Sequence, residues 1–150
     1  MPSGTRINQI LGAEMLDAIT AQLDSGSLGA IIEIRTGSPP ATVEEDSTGL
    51  LLAVCRCSVT SFPPATPGTA PADATMSANP ITADADANNG GTAGYFVAGP
   101  CSSGEVMGTK VILGTAGEAA DTPDLVLDES LIVVNGTVAV TGWTITMPTS

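Results

Sequence analysis

Beyond residue 24 the chain is cut by Gly, Pro, Asn and Asp into about eight short apolar or alternating stretches, the signature of an all-β sandwich or barrel. The best specified of these closes the sequence. Asp124 to Met147 combines β-branched alternation, an Asn-Gly pair and the only tryptophan. From Val138 the apolar positions run Val138, Val140, then Trp143, Ile145, Met147, so the period of two slips by one residue around Thr141-Gly142. A one-residue slip would turn every later side chain to the wrong face. A β-bulge beside the glycine restores the inward register, so a bulge is predicted there, with Trp143 delivered to the core. Asn135-Gly136 predicts a two-residue type I′ turn joining Val133-Val134 to Thr137-Val138 as a hairpin.

One helix precedes the strands. Ile7, Ile10, Leu11, Met15, Ala18, Ile19 and Leu23 recur at three- and four-residue spacing, which predicts an amphipathic helix over about 5–24 with Thr5 as N-cap and Ser25-Gly26 as stop. Gly29 to Thr36 reads as a strand with Ala30, Ile32 and Ile34 inward and Glu33 and Arg35 outward. Gly49 to Thr60 reads as a second, with Leu51, Ala53, Cys55, Cys57 and Val59 on one face. Residues 61–80 hold five prolines, a density that resists helix and central strand and predicts an extended loop or arm with polyproline-II character. An ordered connection of that length usually serves a contact, and Pro63, Pro64, Pro67 and Pro71 are the candidate partner-contact residues. Gly94 to Gly99 is a short aromatic strand, 100–104 a tight turn, 105–114 a further strand and 118–124 an acidic linker. The expected architecture is one mainly β domain over 1–150, a β-sandwich or jelly roll with a single N-terminal helix and a Pro-rich arm.

Charge and chemistry then exclude most functions. Four basic residues face sixteen acidic ones, a net charge of −12, which opposes nucleic-acid and anionic-membrane binding. Neither a signal-peptide pattern nor an apolar run of membrane-spanning length is present, so synthesis and folding in a cytoplasm are expected. There is no histidine, which removes the commonest general base and the Ser-His and Cys-His pairs. With no P-loop, nucleophile elbow or dinucleotide fingerprint, the expectation is a non-enzymatic protein without a cofactor. Asp84, Asp86 and Asn88 echo the opening of a calcium loop. Asn89, however, stands where the tight turn wants glycine, and Tyr95 where a bidentate glutamate belongs, so a polar turn is the preferred reading. Cys55 and Cys57 are two apart on one strand face, too far for a mutual bridge. Free thiols are expected, with a link from Cys101 to either one left open.

The order of strand phrases carries a further expectation. An amphipathic helix is followed by I-I-E-I-R-T-G-S-P-P-A, G-L-L-L-A-V, T-A-G-Y-F-V-A, G-T-K-V-I-L-G-T-A-G, D-L-V-L-D and V-A-V-T-G-W-T-I-T-M-P. This pattern resembles a group of small virion structural proteins of tailed bacteriophages. The resemblance implies a capsid decoration or cement protein: a virion component on the capsid exterior, binding the major capsid protein and copies of itself in many copies. A tail-tube, neck or baseplate component is the alternative within the same particle. A carbohydrate- or receptor-binding fibre module is disfavoured, because Trp143 and Tyr95 offer few stacking platforms.

Overall fold

The computed structural model describes residues 7–69 and 73–147. One helix, α1 (Gln9–Leu23), precedes nine strands: β1 (Ala30–Thr36), β2 (Leu51–Arg56), β3 (Ala74–Ser77), β4 (Gly91–Ser103), β5 (Val106–Met107), β6 (Ile112–Glu118), β7 (Leu125–Leu127), β8 (Leu131–Ile132) and β9 (Val140–Met147). They form a mixed sheet in the order β2-β1-β4-β6-β7-β9-β3, with β5 and β8 attached to β4. The fold is thus mainly β with one helix, as the turn-punctuated sequence predicts.

Strand β6 makes this sheet two-layered. Its first half, Ile112–Thr115, pairs antiparallel with β4, and its second half, Ala116–Glu118, pairs parallel with β7. The chain thereby passes from the β2-β1-β4 layer to the β7-β9-β3 layer. The layers meet through aromatic edges: Trp143 on β9 lies 5.4 Å from Phe96 on β4 and 4.9 Å from Phe62, both edge to face. Edge-to-face pairs add to the burial of the rings themselves. Helix α1 packs against β3, β9 and β4.

The predicted bulge is present. Val126 pairs with Gly142 but Leu127 with Val140, so Thr141 is the extra residue, and Trp143 is buried after the shift. The predicted hairpin is not. Asn135 takes φ +61° as the third residue of a turn closed by Gly136 N–H donating to the Val133 carbonyl at 2.9 Å. A type I′ turn needs two left-handed central residues, and here β-branched Val134 precedes Asn135, so the turn falls one residue early. Leu131–Ile132 then pairs with Gly91–Thr92 instead, and Val138 bridges to Asp84.

Three other expectations are corrected. Helix α1 buries Gly12, Ala13, Leu16 and Leu23, whereas Ile10, Leu11 and Met15 of the expected stripe face outward. Small residues at 12 and 13 let the helix approach the sheet more closely than the larger stripe would allow. Thr5 lies outside the described residues, and Asn8 is the N-cap, its side chain accepting from Leu11 N–H at 2.8 Å. On β2 a register shift opposite Ile34/Arg35 leaves Leu52 and Ala53 both in the core, with Leu51 against the other face and Val59 exposed. Finally, 100–103 continues β4 rather than turning, and 105–114 divides into β5 and the start of β6.

The expected arm is more firmly held than its prolines suggest. Phe62 is buried against Trp143, and residues 74–77, which contain no proline, form β3 along β9. At the start of the segment, Ser61 N–H donates to both Asp24 carboxylate oxygens at 3.0 and 3.2 Å, and Ala65 N–H donates to Asp17 at 2.7 Å. Prolines remove donors, and two of the N–H groups that remain are taken up by carboxylates of the helix and its C-cap. The described part of the segment therefore lies along α1 of the same chain.

Candidate interaction surfaces

The polar turn at Asp84 is shaped by its backbone. One Asp84 carboxylate oxygen accepts from Val54 N–H at 2.8 Å and the other from Asp86 N–H at 2.9 Å. Asn89 donates to the Leu51 carbonyl, and Asp86 and Asn88 are exposed. One Asp84 oxygen thus ties the turn to β2 and the other closes the turn on itself. Among the described residues no cluster of three or more His, Cys, Asp or Glu side chains is arranged to hold a metal ion.

The three cysteines are all free and buried, which closes the question of Cys101 pairing. Cys55 and Cys57 belong to the main core, whereas Cys101 lies with Ile31 and Val54 on the opposite face of β1 and β4. Burial pushes the Cys55 thiol up to about 11. The Cys57 thiol is pushed up to about 12 by burial, with the Asp24 and Cys55 charges adding to it. Thiols so far from ionisation are core residues rather than nucleophiles.

The cations are also absorbed. Among the described residues Arg35 pairs with Glu33 at 3.0 Å, Lys110 donates to the Glu45 carbonyl, and Arg56 donates to the Leu28 and Gly104 carbonyls. Together with the Tyr95 hydroxyl, which donates to the Thr48 carbonyl, these contacts fasten the 37–50 and 104–110 loops over the outer face of the first layer.

Glu118 performs a similar task for the turn that ends at Ser130. Its carboxylate accepts from Ser130 N–H and Oγ at 3.0 and 2.9 Å, and the Ser130 backbone and hydroxyl together hold its carboxyl below the usual range. Because the folded value is depressed, this contribution is complete above the unfolded value of about 4.3 and disappears as pH falls through the folded value. Glu118→Gln should therefore flatten the acid side of a plot of thermal midpoint against pH below about 5. An unchanged acid limb would show that the hydrogen-bonded charge contributes nothing to stability.

Two kinds of surface remain for binding. The first is a cleft of about 390 Å³ between the start of β6 and the second half of β9, with Ile19, Phe96 and Trp143 among the lining residues and Asp124 also on its wall. That carboxylate already accepts from Thr115 N–H and Oγ1, both at 2.9 Å. The second is a set of exposed large apolar side chains that gather rather than scatter. Ile10 (66% exposed), Leu11 and Met15 lie on the outward side of α1. Leu50, Leu131, Val133 and Val134 lie at one end of the first layer, and Leu28, Val59 and Val106 at the other. Exposed apolar side chains grouped at one end or on one helix suit an interaction site, whereas single exposed residues carry no such meaning.

Of the residues expected to touch a partner, Pro63, Pro64 and Pro67 are exposed, and Pro71 lies outside the described residues. The apolar ends of the layer were not anticipated. Their sequence signals are adjacent apolar residues, Leu50-Leu51-Leu52 and Leu131 to Val134, where alternation demands that some point outward. Comparisons with protein-family models, with curated proteins and with solved structures found no match.

Proposed function

We propose that this chain is a non-enzymatic structural subunit of a tailed-phage virion, and specifically a capsid decoration protein seated on the outer surface of the major capsid protein. The observation that carries the reading is the outward face of α1. The helix buries one side in its own core yet presents Ile10, Leu11 and Met15 to solvent, an arrangement suited to a helix laid against a second protein. A net charge of −12 favours the outside of a shell whose interior holds DNA. The strand phrases that resemble phage virion proteins supply the particle. In mechanism, each copy would bury apolar surface at a junction between capsid subunits, and many weak contacts would add through multivalency.

Ile10→Asp with Met15→Asp is expected to leave the thermal midpoint nearly unchanged, since both side chains are exposed, while abolishing incorporation into particles. Particles lacking the protein should then release DNA at a lower temperature. Full incorporation of the double variant would remove the helix face from the account. The apolar ends of the first layer favour a second reading, a ring-forming tail-tube, neck or baseplate component. Electron microscopy separates the two by position: copies spread over the shell, or copies confined to rings along the tail.

A further inference from the structure

We infer that the cleft between β6 and β9 takes up one extended segment of another protein by strand addition, a segment of alternating apolar and polar residues with a basic residue at its C-terminal end. The cleft exists because β7 is short. Over Leu125–Leu127 this strand lies between β6 and β9, parallel to 116–118 and antiparallel to 140–143. Before Leu125 the chain comes in from the side, through Thr122 at φ +52° and Pro123, and no strand continues the line of β7. Residues 112–115 of β6 and 144–147 of β9 therefore border a space one strand wide, about 10 Å across where β7 begins.

Both borders turn backbone groups into that space. On β4 the Ala98 and Pro100 carbonyls accept from Val111 and Gly108 N–H, so its even-numbered residues bond toward β6 and pair there with Ile112 and Gly114. Leu113 then directs its N–H and C=O away from β4, as does Thr115, whose N–H is taken by Asp124 at 2.9 Å. On β9 the Trp143 carbonyl accepts from Ala78 N–H on the β3 side. Ile145 and Met147 accordingly bond toward β3, and Thr144 and Thr146 toward the cleft. The end strands of the sheet are treated differently. The outer edge of β2 is covered by Asn89, Asp84 and Thr82, which bond Leu52, Val54 and Arg56, and Thr75 of β3 exchanges two hydrogen bonds with Thr66. Bare edges recruit strands, which is why folds cover them, and here an internal pair is left bare.

The same geometry selects the occupant. A second copy offers no free strand, because its β2 and β3 are covered in the same way, and its exposed 63–67 stretch has prolines at 63, 64 and 67 that lack the N–H an added strand must donate. Opposite Ile145 an added side chain faces the floor of Ile19, Phe96 and Trp143, so it is apolar. Opposite Thr144 and Thr146, both exposed, added side chains face outward. Because Leu125 pairs with Trp143, the position opposite Thr144 falls beside Asp124. One Asp124 oxygen accepts both Thr115 bonds and the other accepts none among the described residues, which leaves it for a basic side chain. Lys110, just before β6, is already engaged by the Glu45 carbonyl. Antiparallel pairing with β9, the more stable arrangement, places the basic residue at the C-terminal end of the segment.

Strand addition is a property of the purified chain and stands or falls apart from the virion reading. The probe is the peptide acetyl-Thr-Val-Thr-Val-Arg-amide. Trp143 is the only tryptophan and lines the cleft, so its emission reports occupancy. The peptide should shift that emission saturably, with half-saturation below about 1 mM, and slow hydrogen exchange at the Leu113, Thr144 and Thr146 amides. Replacing its arginine with glutamate should weaken binding about two- to fivefold, the range for an exposed ion pair. N-methylation of its central threonine, which removes the N–H aimed at Thr146, should abolish binding to the wild-type chain. Thr146→Pro removes the N–H facing the cleft and leaves the β3 bonds in place, so it should abolish binding with circular dichroism and thermal midpoint nearly unchanged. Emission unmoved up to about 1 mM, or equal binding of the N-methylated peptide, would overturn strand addition. Slow exchange at Thr144 and Thr146 without peptide would overturn the choice of partner: independent of concentration it assigns the cleft to the chain's own ends, and rising with concentration it assigns the cleft to a second copy.

Discussion

Trp143→Ala is expected to cost about 3–5 kcal/mol of folding stability, the range for truncating a large buried aromatic. For a domain of this size that lowers the thermal midpoint by roughly 10–15 °C. The effect should fall at the high end because Trp143 is the meeting point of three parts of the chain. It sits on β9, packs edge to face on Phe96 of β4, and packs edge to face on Phe62 at the entry to the Pro-rich segment. With aromatics so few, no neighbouring ring can fill the space it vacates. Removing it leaves a cavity between layers and releases the anchor of the segment that leads to β3. Urea unfolding monitored by circular dichroism measures the loss. A midpoint within about 1 kcal/mol of wild type would contradict the two-layer description of the core.

A comparably large effect is expected on the alkaline side. The Cys55 and Cys57 thiols ionise in the folded chain at about 11 and about 12, against an ordinary value of 9.0. Both folded values are raised, so the contribution is complete below pH 9 and disappears as pH climbs through the folded values, because only the unfolded chain ionises in between. Each thiol then subtracts about 1.4 kcal/mol per pH unit within its window, which amounts to several kcal/mol by pH 12. Replacing both with Cys55→Ala and Cys57→Val should make the fall in stability between pH 9 and pH 12 distinctly shallower than in wild type. Every other ionisable group is common to the two proteins, so the difference isolates the thiols. Identical slopes would mean that the two sulfurs are not buried as described.

The local features most legible in the sequence were those set by alternation against a glycine. The bulge at Thr141, the inward Trp143 and the inward set Ala30, Ile32 and Ile34 follow from period-two reasoning, because one face of each strand is buried and a slip is costly. Features decided by which neighbour the chain meets were not legible. The buried face of α1 is set by Gly12 and Ala13 fitting against the sheet, and hydrophobicity alone points instead to Ile10, Leu11 and Met15. The strand β3 is hidden among prolines, since its pairing with β9 is decided by residues at the far end of the sequence. For the candidate surfaces, the exposed prolines could be named from composition, whereas the apolar ends of the first layer required the registers of β1, β2 and β4.

The pairing pattern of β9 also orders events in time. One half of this strand holds β7 and the other half holds β3, so partners drawn from the middle and from the last quarter of the sequence are united only by the last strand described. Loop closure of that span is paid before its contacts form, which makes such topologies slow folders. As the chain emerges during synthesis, α1, β1, β2 and β4 can collect early, while Phe62 and Phe96 wait for Trp143. The β7-β9-β3 layer therefore closes only once β9 has been made. Until that strand arrives, the edges of β3 and β7 that it will cover stand unpaired, open to wrong pairing that the finished sheet prevents.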